Sequence, residues 1–539
     1  MTPPVPARIE LCLISHTNAG KTTLTRTLLG RDVGEVRDEA HVTRESEVHE
    51  LIRTDEGDRL LLCDTPGLGD SVRLHRRLSA AGNPIGWFLT QVWDRWTDRT
   101  FYLSQQAMMA ARDRADVVLY LLNSAESPRD AGYLPAELAV LAWLDKPVIV
   151  LLNQTGEARD GAREAAEVRE WSDFLAPMPV VDRVMALDAF TRCWIHEAVF
   201  YRALGPLLAP ALQPGHRRLL DQWEQREQQR FGQSMLAIGG HLCAAMRLET
   251  SAPVEPADGL AARLKGPGAR SGPALSRAWD ALAAEVSTQR RELTRKLLAL
   301  HHLEGQAEHP LLRRFEHVGL DARIPTSRVR AGLLGAVVSG AAGGLGADAL
   351  AGGLTLGAGA AMGAVAGALG FAAGAMGLNR VKGVRHASAR LSVAALQDLV
   401  GEALLQYLAV AHFGRGRGGY REGATPDHWA RAVVEVVSAR AARWPPIVEA
   451  IRSDADGAAA QAELVDLVSG LALDLLATLY PQADIGFARR GLAAATKAGA
   501  GEGVGEGVGE GAAPDSGLAD GIPLGGAAQS ARPPASPAT

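Results

Sequence analysis

The sequence predicts an α/β domain with a doubly wound, mostly parallel sheet, followed by a mainly α-helical domain that contains a Gly/Ala-rich apolar hairpin. Three observations carry this. Apolar runs at Ile9–Ile14, Arg59–Cys63, Leu119–Asn123 and Val148–Asn153 read as buried strands, because a parallel sheet covered on both faces needs near-continuous apolar residues. A loop of small and polar residues, Ser15-His16-Thr17-Asn18-Ala19-Gly20-Lys21-Thr22, follows the first run and precedes Leu24–Leu29, where a strand should turn into a helix. After residue 190 the strand signals fade and apolar residues recur at helical spacing.

The loop has the pattern GxxxxGK[ST] with Ser15 in place of the first glycine, a change the backbone tolerates where φ stays below zero. In such a loop, successive backbone N–H groups and a helix N-terminus wrap phosphates, Lys reaches the outer phosphates, and the hydroxyl holds Mg²⁺. Lys21 and Thr22 fill the last two roles, and the nucleotide-contacting stretch runs from Ser15 to Thr23. Asp64-Thr65-Pro66-Gly67 supplies the second half: its strand delivers Asp64 to the Mg²⁺ side and leaves the Gly67 amide facing the γ-phosphate. Between them, in His41-Val42-Thr43-Arg44, Thr43 stands where a switch residue closes on Mg²⁺ when the triphosphate is bound; one threonine in a polar stretch is also an ordinary loop residue. Together the motifs specify a P-loop NTPase fold.

At these residues the chain resembles the Era-like branch of bacterial GTPases, the TrmE–Era–EngA type. Ser15–Thr22 looks like that branch's loop and Asn18 like its P-loop asparagine. Thr43 looks like its switch I threonine, Asp64–Gly67 like its Asp-Thr-Pro-Gly motif, and Leu119–Asn123 and Val148–Asn153 like its two later strands. The resemblance spans roughly the first 190 residues. It implies GTP and Mg²⁺ as cofactors, with Lys21, Asn18, Thr43 and Gly67 at the reacting phosphate and Thr22, Thr43 and Asp64 around the metal. The remainder is similar to bacterial proteins in which such a head is joined to a long helical C-terminal domain of unknown function.

Two departures bear on chemistry. Era-like proteins carry Asn-Lys-x-Asp after the fifth strand, the Asp accepting both N–H groups of guanine; this chain reads Asn153-Gln154-Thr155-Gly156. Asn153 and Gln154 keep their place but the carboxylate is lost, and a buried unpaired donor costs about 1–3 kcal/mol, so preference for guanine over adenine should fall. Asp188, in Ala186-Leu187-Asp188-Ala189, either supplies an acceptor from the neighbouring loop or caps the following helix. The position after Gly67, Gln in Ras-like proteins, is Leu68, which neither accepts nor donates a proton. In the resembling family such replacements go with a potassium ion held partly by the asparagine matching Asn18. The expectation is slow, K⁺-stimulated hydrolysis that speeds up when two heads meet as a homodimer; the alternative is that Asn18 only bonds within its loop.

With 539 residues, 47% of them apolar, the chain has room for two or more domains with proper cores. A net charge of −5 argues against a nucleic-acid-wrapping surface, so nucleic acid is not an expected partner. Cys12, Cys63, Cys193 and Cys243 lack metal spacing and read as reduced core residues of a cytosolic protein. Met1–Glu10 carries no secretory signal pattern.

The expected domains are a head at 1–190 with a helical insert at about 71–115, a helical region at 191–330, an apolar hairpin at 331–378, a helical region at 379–495 and a disordered tail at 496–539. Trp87, Phe88, Trp93, Trp96, Phe101 and Tyr102 crowd the insert, as buried core or as a reporter of nucleotide state. Leu219–Leu236 and Ala278–His301 read as bundle helices separated by a Pro- and Gly-rich loop at Ser251–Pro273. Leu391–Phe413 and Ala430–Tyr480 are again helical.

Ala331–Leu378 has 48 residues with one charge, Asp348, and 15 glycines, between basic flanks. It has room for two spans of about 17–25 residues, although only 14 of its residues are Leu, Val, Phe or Met. The expectation is a cytoplasmic protein with this hairpin at the inner membrane; the alternative is a packed hairpin inside a soluble helical domain.

Two functions follow. One is a GTP switch controlling a membrane-associated helical domain. The other is a nucleotide-stabilised scaffold for an unknown protein partner, with little turnover. ATP in place of GTP stays open because of the missing carboxylate.

Overall fold

The computed structural model describes residues 5–17, 19–30, 47–69, 71–79, 99–154, 161–190, 193–253, 267–303, 386–413, 426–453, 457–481, 483 and 485–489. Strand β1 (Arg8–Ser15) leads to α1 (Lys21–Leu29), and β2 (Glu47–Arg53) and β3 (Arg59–Asp64) form a hairpin. Then come α2 (Ser71–Ser79), α3 (Arg99–Arg114), β4 (Val117–Asn123), α4 (Leu134–Ala142), β5 (Val148–Asn153), α5 (Gly161–Leu175), β6 (Val181–Ala186) and α6 (Trp194–Leu204). The sheet order is β2-β3-β1-β4-β5-β6, with β2 antiparallel to β3 and the other pairs parallel.

Because successive side chains alternate across a sheet, each strand feeds two cores. Cys12, Ile14, Cys63, Val118, Tyr120 and Val150 face α3, α4 and α5, where Met108, Leu138 and Trp171 cover them. Phe101 of the aromatic insert is buried in this core; Trp87, Phe88, Trp93 and Trp96 lie outside the described residues. Leu11, Leu13, Leu60, Leu62, Leu119 and Leu121 face the other way, toward α1 and α6.

The second face does not end with the head. A 3₁₀ turn (Gly205–Leu207) leads into the 35-residue helix α7 (Gln213–Arg247). After it come β7 (Glu249–Pro253), α8 (Pro267–Leu300), β8 (His386–Arg390), α9 (Val393–Ala411), α10 (Asp427–Ser438), α11 (Trp444–Ser453) and α12 (Gly457–Leu479). Along α7 the buried residues Leu219, Trp223, Phe231 and Met235 keep helical spacing. Glu227 interrupts this stripe and is neutralised by Arg230 at 2.8 Å. Trp194 of α6 donates its indole N–H to the Tyr407 hydroxyl of α9 at 3.3 Å and meets Phe487 edge-on, with centroids 5.5 Å apart. Leu62, Trp194, Trp223, Leu404 and Leu476 therefore belong to one apolar core, shared by the sheet and the helical region.

Three expectations need correction. The stretch Ser251–Pro273 is not a plain loop: α8 begins at Pro267, where a proline's missing N–H costs nothing. Strands also occur after residue 190, since β7 and β8 pair antiparallel with Glu249 opposite Arg390. Hairpin insertion in the inner membrane does not stand either. No helix among the described residues is long and apolar enough to cross a membrane, and Ala331–Leu378, on which the expectation rested, lies outside them. With 15 glycines among its 48 residues, the segment is long but weakly apolar, and a gain of roughly 2–4 kcal/mol per arm is matched by the cost of about 3 kcal/mol for one intramembrane Asp.

The head is also clamped at its far edge. Asp58, fully buried in the β2–β3 turn, accepts the Ala7 N–H at 2.7 Å, the Thr54 hydroxyl at 3.0 Å, and both Nε and Nη2 of Arg218 at 2.7 Å. Gly215, one turn earlier on α7, sits so close that a Cβ there would lie 2.2 Å from the Ala7 Cβ. The Arg218 guanidinium holds the Asp58 carboxyl below the usual carboxylate range. Arg218→Ala would leave a buried carboxylate without its cation, at a cost of about 3–5 kcal/mol, measurable by equilibrium denaturation of the full chain. The folded carboxyl titrates below its unfolded value of about 3.9. The stabilisation is therefore complete well above that value and is lost as pH falls through the folded value, so Arg218→Ala should flatten the acid side of the stability curve.

Candidate functional site

The turn from β1 to α1 is made at Gly20, with φ 91° and ψ 27°. This left-handed geometry suits glycine, and a Cβ there would lie 2.7 Å from Asn153 Nδ2. Among the described residues no side chain caps α1, so its first amides face outward for an anion. Lys21 is buried at 7% exposure and its Nζ donates to the Ser15 Oγ at 2.9 Å. The residue that replaces the first glycine thus provides an acceptor for the loop's ammonium group, while Ser15 itself donates to the His16 carbonyl. Burial pulls the Lys21 pKa below its ordinary value, against the opposing charges of Asp64 and Glu137. Thr23, beside it, is buried as well.

The metal side is built from Thr22 and Asp64. The Thr22 hydroxyl donates to Asp64 Oδ2 at 2.7 Å, and Asp64 Oδ1 is buried with no hydrogen-bond partner among the described residues. Burial pushes the Asp64 pKa up to about 6, with Lys21 opposing. A hydroxyl beside a carboxylate with a bare buried oxygen is a donor set that fits a hard, oxygen-seeking dication such as Mg²⁺.

The segment after β3 lies against the loop. Leu68 donates its N–H to the Ser15 carbonyl at 2.8 Å, and a Cβ on Gly67 would lie 3.1 Å from the Thr17 Cα and 3.3 Å from Lys21 Nζ. The Leu68 side chain is fully buried in the core shared with Cys12 and Phe101, which removes this position from any contact with water. Gly69 donates to the Ser104 Oγ at 3.3 Å, Arg73 lies over the Phe101 ring at 4.7 Å, and His75 stacks on Trp143 at 5.7 Å.

On the base side, Asn153 is fully buried and bridges two loops. Its Nδ2 donates to the Ala19 carbonyl and its Oδ1 accepts the Ala189 N–H, both at 2.8 Å. Gln154 adopts φ 60°. Asp188 accepts the Phe190 N–H at 2.6 Å in a local turn, while α6 starts later, with Cys193 at its N-cap. Asn18, on which the potassium expectation rests, and Thr43, Thr155 and Gly156 lie outside the described residues.

Residues 10–154 match the family model described as "50S ribosome-binding GTPase". Residues 182–467, more than half of the chain, match the domain of unknown function DUF3482. The chain belongs to the DUF3482 family. This DUF3482 protein carries an Era-type P-loop GTPase domain fused to an uncharacterised helical region. It is 37% identical over 68 residues to the mitochondrial GTPase Era of Danio rerio, an alignment that covers 13% of this chain and 15% of that protein. Similar solved structures include a variant of Aquifex aeolicus Era bound to GDP·AlF4⁻, at 18% identity and a TM-score of 0.29, covering 38% of this chain and 57% of that one. Another is Era in complex with MgGDPNP and nucleotides 1506–1542 of 16S ribosomal RNA, with the same identity and TM-score, covering 58% of that chain. The DUF3482 protein thus spans less than two thirds of each of these relatives.

The last comparison corrects the partner expectation. That Era structure holds ribosomal RNA, and the expectation that nucleic acid is no partner, which rested on a net charge of −5, does not stand. Net charge averages over the whole chain, whereas recognition depends on local potential.

Sequence reasoning missed Glu137. Its Oε1 lies 2.6 Å from His16 Nδ1, and the His16 ring stacks on Tyr133 at 4.3 Å. The available signal was a lone carboxylate in the apolar helix Leu134–Ala142. Gly20→Ala tests the loop geometry: strain at positive φ should destabilise the nucleotide-free protein by about 1–3 kcal/mol in a denaturation curve and abolish binding of labelled GTP.

Proposed function

We propose that the DUF3482 protein is a GTP-binding switch with slow hydrolysis, and that its head signals to the helical region through the β2–β3 hairpin. The observation that carries this reading is the placement of the two ends of β3. Asp64 ends the strand at the nucleotide, and Asp58, just before its start, is held by Arg218 of α7. A strand hydrogen-bonded on both sides moves as a unit, so a change at Asp64 is felt at the clamp.

In this reading Lys21 and the amides from His16 to Thr23 bind the phosphates, and Thr43 joins them in the triphosphate state. The Gly67 amide meets the γ-phosphate. Mg²⁺ would be held by Thr22, Thr43 and Asp64 and would neutralise charge between the outer phosphates. Asn153 fixes the floor of the base pocket, and Gln154 and Asp188 line it. Turnover is slow because Leu68, buried in the core, leaves no side chain there to orient water. A potassium ion at Asn18 would supply the missing positive charge. The shared core supports a second reading, a fixed scaffold in which nucleotide is only a structural ligand.

Binding of labelled GTP, GDP and ATP to the full chain, in potassium and in sodium, tests the first reading, with Lys21→Ala as control. GTP and GDP should bind at least about tenfold more tightly than ATP, and Lys21→Ala should abolish binding. Hydrogen exchange over residues 213–225 should differ between GDP and a non-hydrolysable GTP analogue, and Arg218→Ala should erase that difference. Identical exchange in the two wild-type complexes would leave the scaffold.

A further inference from the structure

Glu137 takes no part in the metal or base contacts, yet it is fully buried in an otherwise apolar helix. A carboxylate in such a place needs good partners, because desolvation of the charge is otherwise prohibitive. It has two: Oε1 faces His16 Nδ1 at 2.6 Å, and Oε2 accepts the Tyr120 hydroxyl at 2.5 Å. Glu137 thus ties the His16 imidazole of the phosphate loop to Tyr120 of β4. Tyr133 stacks on the imidazole, at an interplanar angle of 22°.

We propose that Glu137 is a positioning residue for nucleotide binding: anchored by Tyr120, it fixes the second residue of the phosphate loop through the His16 imidazole. Three elements meet at this carboxylate, the loop, β4 and α4, so the start of the loop has little freedom left before a phosphate arrives. The Glu137 helix ends at Trp143, on which His75 of α2 stacks, and so supports the segment after Gly67 as well. An apolar residue of similar volume would fill the α4 core without any desolvation cost; the carboxylate earns its place by what it holds.

This inference rests on the GTP-binding reading, and the test separates the two. Affinities for GTP and GDP are measured on the full chain for Glu137→Gln, His16→Ala, His16→Asn and the double variant His16→Ala/Glu137→Gln. Hydrogen exchange over residues 15–22 is followed in the nucleotide-free proteins. Glu137→Gln and His16→Ala should each weaken binding about ten- to hundredfold, with the thermal midpoint moving by less than about 5 °C. The double variant should be no weaker than the weaker single one, since both break the same His16–Glu137 contact. His16→Asn, whose amide N–H still reaches Glu137, should recover part of the loss, and exchange in the loop should rise wherever binding falls.

Unchanged affinity and exchange in folded Glu137→Gln would overturn the proposal, as would losses that simply add in the double variant. If the wild-type chain binds no GTP, the GTP reading fails, and the exchange measurement still decides whether Glu137 holds the loop. Should Glu137→Gln not fold, Tyr120→Phe, which removes only a hydroxyl, is read by the same two outcomes.

Discussion

The structure depends on a packing constraint: the sheet face formed by Leu11, Leu13, Leu60 and Leu62 is closed by helices from both halves of the chain. Burying a Leu side chain is worth about 1.5–3 kcal/mol, so a rotation that parts the halves would forfeit many such contributions at once. Nucleotide-dependent change is therefore confined to small shears at polar seams. The β2–β3 turn on Arg218 is one. The start of α5 is another, where Gly161 packs so tightly that a Cβ would lie 2.9 Å from the Leu479 carbonyl oxygen. One seam adjoins the strand that carries Asp64, and the other follows the loop after Asn153.

Electrostatics adds a second constraint around the phosphate loop. Lys21, Asp64 and Glu137 share one dry neighbourhood, and burial drives the Lys21 pKa down and the Asp64 pKa up. Neither charge is comfortable alone, and a triphosphate would bring several more negative charges. Such a site favours ligands that arrive with their own cation. The buried Leu68 side chain fits this picture, since what remains for catalysis is the placement of charge and backbone amides.

The strands, the loop and the Asp64 motif were legible because their chemistry is local. Each role falls within one strand and the turn after it, and apolar runs mark the strands directly. Glu137 and the Asp58–Arg218 clamp were not legible, because each pairs residues far apart in sequence, whose partnership exists only once the sheet and α7 are in place. The β7–β8 pair failed for the same reason: Glu-Thr-Ser-Ala-Pro and His-Ala-Ser-Ala-Arg carry almost no apolar signal, and backbone pairing makes the sheet. Ala430–Tyr480 read as helical without internal boundaries, which the structure supplies as α10, α11 and α12, with Pro445 and Pro446 in the first turn of α11. The inner-membrane reading failed because a small balance of apolar gain over the cost of Asp348 was taken as enough, while no helix among the described residues is long and apolar enough to cross, and the nucleic-acid reading failed because a whole-chain charge hides its distribution.

The shared core also sets the order of events during synthesis. Helix α6 leaves the ribosome long before Tyr407 and Phe487, the ring partners of its Trp194, which follow roughly 200–280 residues later. At about 5–20 residues per second this is an interval of roughly 10–55 s, during which Trp194 lacks part of its final cover. An incomplete apolar face of this kind invites chaperone capture or self-association. A shortened chain that stops near the end of the head would carry that exposure permanently, so the two halves are partners in biogenesis as much as in the finished protein.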